Sequence, residues 1–411
     1  MTTLSIVIPA LNEEDGIASI VDRTLAVEPE LAAQGIELEL IVVDDGSTDR
    51  TAEIVQSYAP KVRLIQHEVN KGYGAAIKTG FQQATGEWLG FMDADGTYPP
   101  EAYPAMYEAA LREEADLVIG SRMAGAESEM PLVRRIGNVF FAGLVSFVGK
   151  TYVSDSASGQ RILRREALKK LYPLPDGLNF TPVMSTRALH EDMKAIEVPI
   201  IYHERAGRSK LNPITDGMRF LKTILWTGLS YNPVRLFSAV GLFFLAIAAL
   251  VGVVLVLGRL SGATTFHPPG ALALFVGVVS AVLGVSVYAF GATFNSLAAL
   301  SRGERAASRI DRHFGWLGLA SIAVGLVIAL LTVILNAANW DLGRVFFYLL
   351  GSAMFVVIGV QLIVSWVLMR VLEELSERAR LAARDLGAEA AKPVVEKAEA
   401  VFASAPANEA V

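Results

Sequence analysis

The chain contains no cysteine. Disulfides, thiolate metal sites and cysteine nucleophiles are therefore excluded, and the composition fits a reducing compartment. The N-terminus lacks the basic segment, apolar core and small-residue cleavage site of a secretory leader, because residues 4–8 already read as a strand. No leader is expected. Positive charge is also in deficit: the net charge is -6 at pH 7, which argues against nucleic acid as a partner. A further scarcity is local. Four long apolar runs, near 236–257, 271–298, 315–335 and 345–369, contain almost no ionisable residues, and each is long enough to span about 30 Å of hydrocarbon as a helix.

What is present divides the chain in two. Its 411 residues leave room for two or three domains of about 150 residues. The 53% hydrophobic content and mean hydropathy of +0.42 are unevenly spread. Residues 1–230 read as a soluble protein and 236–369 as a membrane protein. In the first part, five short apolar runs each end in polar or turn-forming residues and lead into a helical pattern. They are 4–8 before Pro9-Ala10-Leu11-Asn12-Glu13, 38–43 before Asp44-Asp45-Gly46-Ser47, 62–65 before Asn70-Lys71-Gly72, 88–92 before Asp93-Ala94-Asp95, and 117–119 before Ser121-Arg122. Strand then helix, repeated, requires crossover connections and gives a mostly parallel sheet. In such sheets ligands bind beyond the carboxyl ends of the strands. Every cluster named lies at such an end, so five loops are expected to converge on one crevice.

The fourth cluster carries the sharpest chemistry. Asp93 and Asp95, at i and i+2 on a turn with Gly96, Pro99 and Pro100, can face one hard cation such as Mg2+ or Mn2+. Such ions are usually held by one or two protein carboxylates, with water and substrate phosphate completing the sphere. A nucleoside diphosphate is the natural partner. The competing reading is a solvated or capping pair, since Asp favours turns in any case. The other clusters are equally two-sided. Ser47 or Thr48 either belongs to a ligand loop or caps a helix over 49–59, while Asp45 is suited to accept from a base or ribose. Asn70-Lys71-Gly72-Tyr73-Gly74 either offers N–H groups to an anion or simply joins loop to helix. Ser121-Arg122 is a ligand contact or a surface charge. A helix over 133–147 carries Arg134 and Arg135 in its first turn, against the helix dipole, which suits an anionic partner or plain solvation. The small-residue loop 154–161 holds one acid, Asp155, and one base. A strand over 196–202 leads into Arg205, Arg208 and Lys210, cations that suit a phosphate or anionic lipid.

Taken in order, several pieces of the chain resemble glycosyltransferase family 2, and within it the polyisoprenyl-phosphate group of dolichol-phosphate mannose synthase and bacterial bactoprenol glucosyltransferases. They are Ser5-Ile6-Val7-Ile8-Pro9-Ala10-Leu11-Asn12-Glu13, Val43-Asp44-Asp45-Gly46-Ser47-Thr48-Asp49, Asn70-Lys71-Gly72, Asp93-Ala94-Asp95, Gly120-Ser121-Arg122, Asp155 with Ser158-Gly159, and Arg205 with Gly207, Ser209 and Lys210. The resemblance covers residues 4–215. It implies an α/β GT-A fold, a UDP- or GDP-linked sugar donor and a polyprenyl phosphate acceptor, dolichyl or undecaprenyl. The implied reaction moves one hexose, glucose or mannose, with inversion at the anomeric carbon, in the service of cell-envelope glycans. Carried over residue by residue, Pro9, Ala10, Asn12, Glu13 and Asp45 would hold the nucleoside, with Lys71, Ala94, Arg122, Arg205 and Lys210 completing the donor site. Asp93 and Asp95 would hold Mg2+ or Mn2+ on the diphosphate. Arg134, Arg135, Ser209 and Lys210 would meet the acceptor phosphate, and Asp155, Asp95 and Arg122 would act at the reacting centre.

One departure stands out: many relatives carry Leu and Gln after Asp-Ala-Asp, where this chain has Gly96 and Thr97. Two rival functions remain. A processive polysaccharide synthase of the same superfamily usually carries Gln-x-x-Arg-Trp, and no such run occurs here. A non-catalytic flippase subunit or assembly scaffold is opposed by intact Asp45, Asp93, Asp95 and Lys210.

The later residues define the membrane half. Ile214, Met218, Leu221, Leu225 and Leu229 share one helical face beside Arg219, Lys222 and Trp226. This is either an amphipathic helix in the membrane interface or one packed on the soluble domain. The expected division is a GT-A domain over 1–212, this amphipathic helix over 213–234, four transmembrane helices over 235–370, and a cytoplasmic helix with a flexible tail over 371–411. Arg302, Arg305, Arg309 and Arg312 lie in the middle loop and Arg370, Arg378, Arg380 and Arg384 follow the last span, whereas the other loops hold only Arg259 and Arg344. The positive-inside rule then sets both termini and the catalytic domain on the cytoplasmic face of the inner (plasma) membrane. Membrane lipids are the expected partners of this half, with assembly of copies through the spans left open.

Overall fold

A computed structural model of the chain describes residues 2–124, 130–149, 152–191, 193–203, 213–261, 268–301, 313–338 and 345–385. They form two compact units, one ending at Gly228 and the other beginning at Leu229. In the first unit a seven-stranded sheet is built from β1 (Thr2–Ala10), β2 (Ile36–Asp44), β3 (Val62–Gln66), β4 (Trp88–Met92), β5 (Leu117–Ser121), β6 (Gln160–Arg164) and β7 (Ala195–Pro199), in the order β3-β2-β1-β4-β6-β5-β7. The helices of this unit are α1 (Ile17–Leu25), α2 (Glu28–Ala33), α3 (Thr51–Gln56), α4 (Tyr73–Gln83), α5 (Tyr103–Arg112), α6 (Leu132–Gly149), α7 (Leu168–Leu171), α8 (Phe180–His190) and most of α9 (Pro213–Tyr231).

Alternation along β1 explains why the sheet is covered on both sides. Leu4, Ile6 and Ile8 enter one core with Ile17 and Ile20 of α1 and Met106 of α5, whereas Val7 enters the other with Ile77 of α4 and Met184 of α8. A strand apolar on both faces is stable only between two helical layers. The result is a three-layer α/β/α unit of the GT-A class.

The sequence reading misses β6. It takes Gln160 and Arg161 as the end of a polar loop, but they pair antiparallel with β4 and β5, Met92 opposite Gln160 and Ile119 opposite Arg161. The polar residues are drawn into a strand because both neighbours offer unpaired edges. This reversal positions the site. The start of β6 lies beside the carboxyl ends of β4 and β5, so the loop carrying Asp155 joins the same crevice as the Asp93–Asp95 turn.

Two helices also differ from expectation. α3 is shorter than 49–59 and has no side-chain cap; the Ser47 hydroxyl accepts from Asn12 N–H instead. α9 packs on the first unit. Ile224 is fully buried in its core, the Phe220 ring meets Phe141 of α6 at 5.9 Å, and Thr223 bonds Asn179 at 3.1 Å. Met218 and Trp226 remain exposed. α6 splits its apolar residues between two faces: Ala142, Val145 and Val148 are buried, while Leu132, Val133, Ile136, Val139, Phe140 and Phe147 are exposed.

The second unit contains α10 (Pro233–Leu260), α11 (Pro268–Ser301), α12 (Phe314–Ala337) and α13 (Val345–Asp385). Each is long and apolar enough to cross a membrane, and among the described residues α6 also meets that measure of length and composition. α12 and α13 approach backbone to backbone: a Cβ on Gly318 would lie 2.7 Å from the Gly359 carbonyl oxygen, and one on Gly359 would lie 2.6 Å from that of Gly318. Ser321 and Ser352 then donate across the seam to the carbonyls of Phe355 and Gly325, at 2.6 and 2.9 Å. Small residues and hydroxyls are the usual means of joining helices where no hydrophobic gain separates lipid from protein. α13 has 41 residues, more than the roughly 20 a bilayer requires.

Candidate active site

The loops after β1 and β2 are laced together. Asn12 adopts a left-handed conformation, φ 50°, which asparagine tolerates better than most residues. Its N–H donates to Ser47 Oγ at 2.9 Å, and its Oδ1 accepts from Thr48 N–H at 2.8 Å. The N–H groups of Glu13 and Glu14 continue the lacing to Thr51 Oγ1 and Asp49. Pro9 and Ala10 pair with Val43 and Asp44 at the carboxyl ends of β1 and β2. Pro9, Ala10, Asn12 and Glu13 therefore form one wall with the Ser47–Asp49 segment.

Asp45 faces inward rather than out. It is buried, and its carboxylate accepts from Lys71 N–H at 2.9 Å and Gly72 N–H at 2.8 Å while sharing a 2.6 Å hydrogen bond with His67 Nδ1. His67 Nε2 lies 3.0 Å from Thr79 Oγ1. Asp45 thus shapes the 67–72 loop from beneath, and Lys71, whose N–H it holds, keeps an exposed side chain.

The Asp93–Asp95 turn lies at the carboxyl end of β4, the central strand of the sheet. Tyr73 donates its phenolic O–H to Asp93 Oδ1 at 2.6 Å. Burial, then the neighbouring Asp93, holds the Tyr73 phenol well above its ordinary value, so it remains a donor. Asp93 also packs on Gly159, where any Cβ would collide with the carboxylate. Thr97 binds Asp95 Oδ1 twice, through its hydroxyl at 2.6 Å and its N–H at 3.2 Å. Ala94 is buried between the two aspartates. The donor set is two half-exposed carboxylates on one turn, which are hard oxygen ligands. Among the described residues no group of three or more His, Cys, Asp or Glu side chains could hold a metal alone. A divalent ion that takes part of its sphere from a diphosphate and water fits such a pair.

Asp155 and Arg122 form the opposite kind of pair. Arg122 meets Asp155 side-on, Nε to Oδ2 and Nη2 to Oδ1, both at 2.7 Å, and its N–H adds a third bond at 3.0 Å. Asp155 is fully buried. Burial opposes its charge, but the Arg122 guanidinium outweighs burial and keeps the carboxyl below its ordinary value. The guanidinium also faces the Tyr98 and Tyr202 rings, at 5.8 and 5.4 Å from their centroids. Glu197 of β7 fixes the loop by accepting from Ser154 N–H and Asp155 N–H, at 2.8 and 2.9 Å. Beneath it, fully buried Arg161 donates to the carbonyls of Ser156 and Ser158, and burial pulls its guanidinium down to about 10.

The structure therefore brings together the wall with Pro9, Ala10, Asn12 and Glu13, the Asp93–Asp95 turn, and the Arg122–Asp155 pair. Arg134 lies one turn before Asn138, whose side chain donates to the Ser154 carbonyl at 3.3 Å, so the start of α6 flanks the same loop. Arg135 is exposed. Arg205, Gly207, Ser209 and Lys210 lie outside the described residues, as do Arg302, Arg305, Arg309, Arg312 and Arg344. The sequence reading gives no role to Tyr73, His67, Thr97 or Glu197, although Tyr73 lies inside the 70–74 motif and Thr97 in the departure after Asp-Ala-Asp.

Comparison with known proteins agrees with this architecture. The model of glycosyl transferase family 2 matches residues 5–172, and that of a domain of unknown function (DUF8752) matches 233–383. A dolichyl-phosphate hexose transferase of Haloferax volcanii is 32% identical over 225 residues, covering 54% of this chain and 92% of the relative. The chain belongs to glycosyltransferase family 2. Within that family it falls in the polyprenyl-phosphate group and is a glycosyltransferase. The low-salt glycan biosynthesis hexosyltransferase Agl6 of Haloferax volcanii is 33% identical over 256 residues, 62% of this chain and 59% of the relative. An undecaprenyl-phosphate 4-deoxy-4-formamido-L-arabinose transferase of Photorhabdus laumondii is 29% identical over 315 residues, 73% of this chain and 92% of the relative. With its span-length apolar helices, this family 2 chain is a membrane protein.

Proposed function

We propose that the chain transfers one hexose, glucose or mannose, from a UDP- or GDP-linked donor to dolichyl or undecaprenyl phosphate, with Mg2+ or Mn2+ at Asp93 and Asp95. The observation that carries this reading is the carboxylate turn at the end of β4, in a chain whose second unit also holds four span-length helices. Relatives named for dolichyl- and undecaprenyl-phosphate transfer support the acceptor class. When bound, the metal neutralises charge on the leaving diphosphate.

The chain's own residues do the rest. The laced wall of Pro9, Ala10, Asn12 and Glu13 receives the nucleoside, and Asp45 acts on it indirectly by shaping the loop that presents Lys71. The acceptor phosphate has a second pKa of about 6, so at neutral pH it is dianionic and already nucleophilic. Its oxygen bonds the anomeric carbon, the carbon–oxygen bond to the diphosphate breaks, and the nucleoside diphosphate leaves with inversion. No proton has to be removed. A buried, ionised and doubly bonded Asp155 suits that chemistry, because it orients its surroundings without acting as a base. Arg134 and Arg135, with Arg205 and Lys210, supply cations for the incoming phosphate, and Ser209 a hydroxyl donor. The exposed apolar face of α6, which carries Arg134 and Arg135 in its first turn, rests in lipid. The catalytic unit lies on the cytoplasmic face of the plasma membrane, as the arginine-rich middle loop and C-terminal flank favour.

The test is incubation of the purified full chain in detergent with UDP- and GDP-hexoses and either lipid phosphate, with mass analysis of the organic extract. A single hexosyl-phospholipid is expected. Nucleotide-sugar binding without any lipid product would overturn the reading in favour of a scaffold, and a long water-soluble polymer would favour a synthase.

A further inference from the structure

Each carboxylate of the Asp93–Asp95 turn is held by one hydroxyl from a residue outside the motif. Tyr73, at the first position of α4, reaches Asp93 Oδ1 at 2.6 Å from 20 residues upstream. Thr97, fully buried, reaches Asp95 Oδ1 with its hydroxyl at 2.6 Å and its N–H at 3.2 Å. Both bonds are short and the acceptors are carboxylates, so both belong to the stronger class of hydrogen bond. Each bond restrains the plane of its carboxylate through Oδ1.

We propose that Tyr73 and Thr97 are the positioning residues of the metal-diphosphate turn, and that Thr97 does here the orienting work for which Gly96-Thr97, in place of Leu-Gln, otherwise leaves no side chain. The inference rests on the metal reading above. Its physical basis is general: groups that hydrogen-bond a metal's ligands set ligand direction, and their loss costs about 10- to 100-fold in metal affinity. Two further contacts make the turn rigid enough for such control. Asp93 packs against the Gly159 backbone, and the Thr97 carbonyl accepts from His203 N–H at 3.0 Å. Gly96, with φ 76°, lets the chain reverse between Asp95 and Thr97. A Thr97→Val substitution keeps the shape and the N–H bond but removes the hydroxyl, whereas Thr97→Ser keeps the hydroxyl. Tyr73→Phe removes only the phenolic oxygen.

The experiment is Mn2+ titration of the purified full chain with UDP or GDP, read by the loss of the free-ion electron paramagnetic resonance signal, alongside the Mn2+ dependence of transfer. T97V and Y73F should each weaken Mn2+ binding by about 10-fold or more. The metal concentration for half-maximal transfer should rise in parallel, while the rate at saturating Mn2+ falls less. T97S should bind as the unsubstituted chain does. Unchanged Mn2+ affinity in T97V and Y73F, beside clear binding by the unsubstituted chain, would overturn this inference alone. Absence of Mn2+ binding by the unsubstituted chain with either nucleotide would overturn the metal reading and this inference with it. A shared loss of thermal stability with unchanged affinity would mark both residues as structural.

Discussion

Two acidic regions of one crevice are built to opposite ends. On the turn after β4, Asp93 and Asp95 are half-exposed and each gives one oxygen to a neutral hydroxyl. In the loop before β6, Asp155 is fully buried and bound through both oxygens by a guanidinium. A neutral hydroxyl orients a carboxylate without itself cancelling the charge, whereas the Arg122 guanidinium neutralises Asp155 where it stands. The number of acids in a site says little; the burial of each acid and the kind of donor that orients it set the two regions apart.

The strongest way to break the comparison is to remove a charge from the turn. Asp95→Asn should lower transfer on the order of 1,000-fold, the scale seen when one preorganised electrostatic group is lost, with circular dichroism unchanged. Near-normal turnover would assign the turn a structural role. Substitution in the other region should instead be felt in folding. Arg122→Ala leaves a buried carboxylate unpaired, a loss of about 3–5 kcal/mol, and should lower the thermal transition of the α/β unit on the order of 10 °C. Replacing both partners together by Met and Leu should recover most of that stability but not transfer.

The pH profile sharpens the contrast without any large loss. Asp155 is held below its ordinary value of 3.8, so its pairing is intact above that pH and fails only as the pH falls through the lowered value. It does not titrate in the working range. The rate should therefore rise through about pH 6 with the acceptor phosphate, and an Asp155→Asn variant, though slower, should show the same midpoint. A midpoint that moves with Asp155 would make it a base. The smallest effect is expected at the wall: Asn12→Ala removes the acceptor for Thr48 N–H, a loss of about 1 kcal/mol, and should raise donor KM several-fold with kcat little changed.

Much of this site was legible in the sequence because parallel strands buried on both faces read as unbroken apolar runs, and their polar ends mark the crevice. The 4–8 and 88–92 runs are of this kind. Legibility failed where partners are distant. Glu197 reaches Asp155 N–H across 42 residues, and His67 reaches Asp45 across 22, so Asp45 reads as a free acceptor and Asp155 as an available acid. It failed again at β6, where strand neighbours rather than local preference decide the conformation of Gln160 and Arg161. The α6 pattern shows a helix, but not that only one of its apolar faces is packed.

The most direct test of the account is the metal dependence of sugar transfer to polyprenyl phosphate in the unsubstituted chain, Asp95→Asn and Asp155→Asn, each measured with EDTA and across a Mn2+ titration. The account predicts that EDTA abolishes transfer, that Asp95→Asn is not rescued by any Mn2+ concentration, and that Asp155→Asn loses rate without any change in its half-saturating Mn2+. Transfer that survives EDTA, or an Asp155→Asn variant whose Mn2+ requirement shifts while that of Asp95→Asn does not, would contradict it.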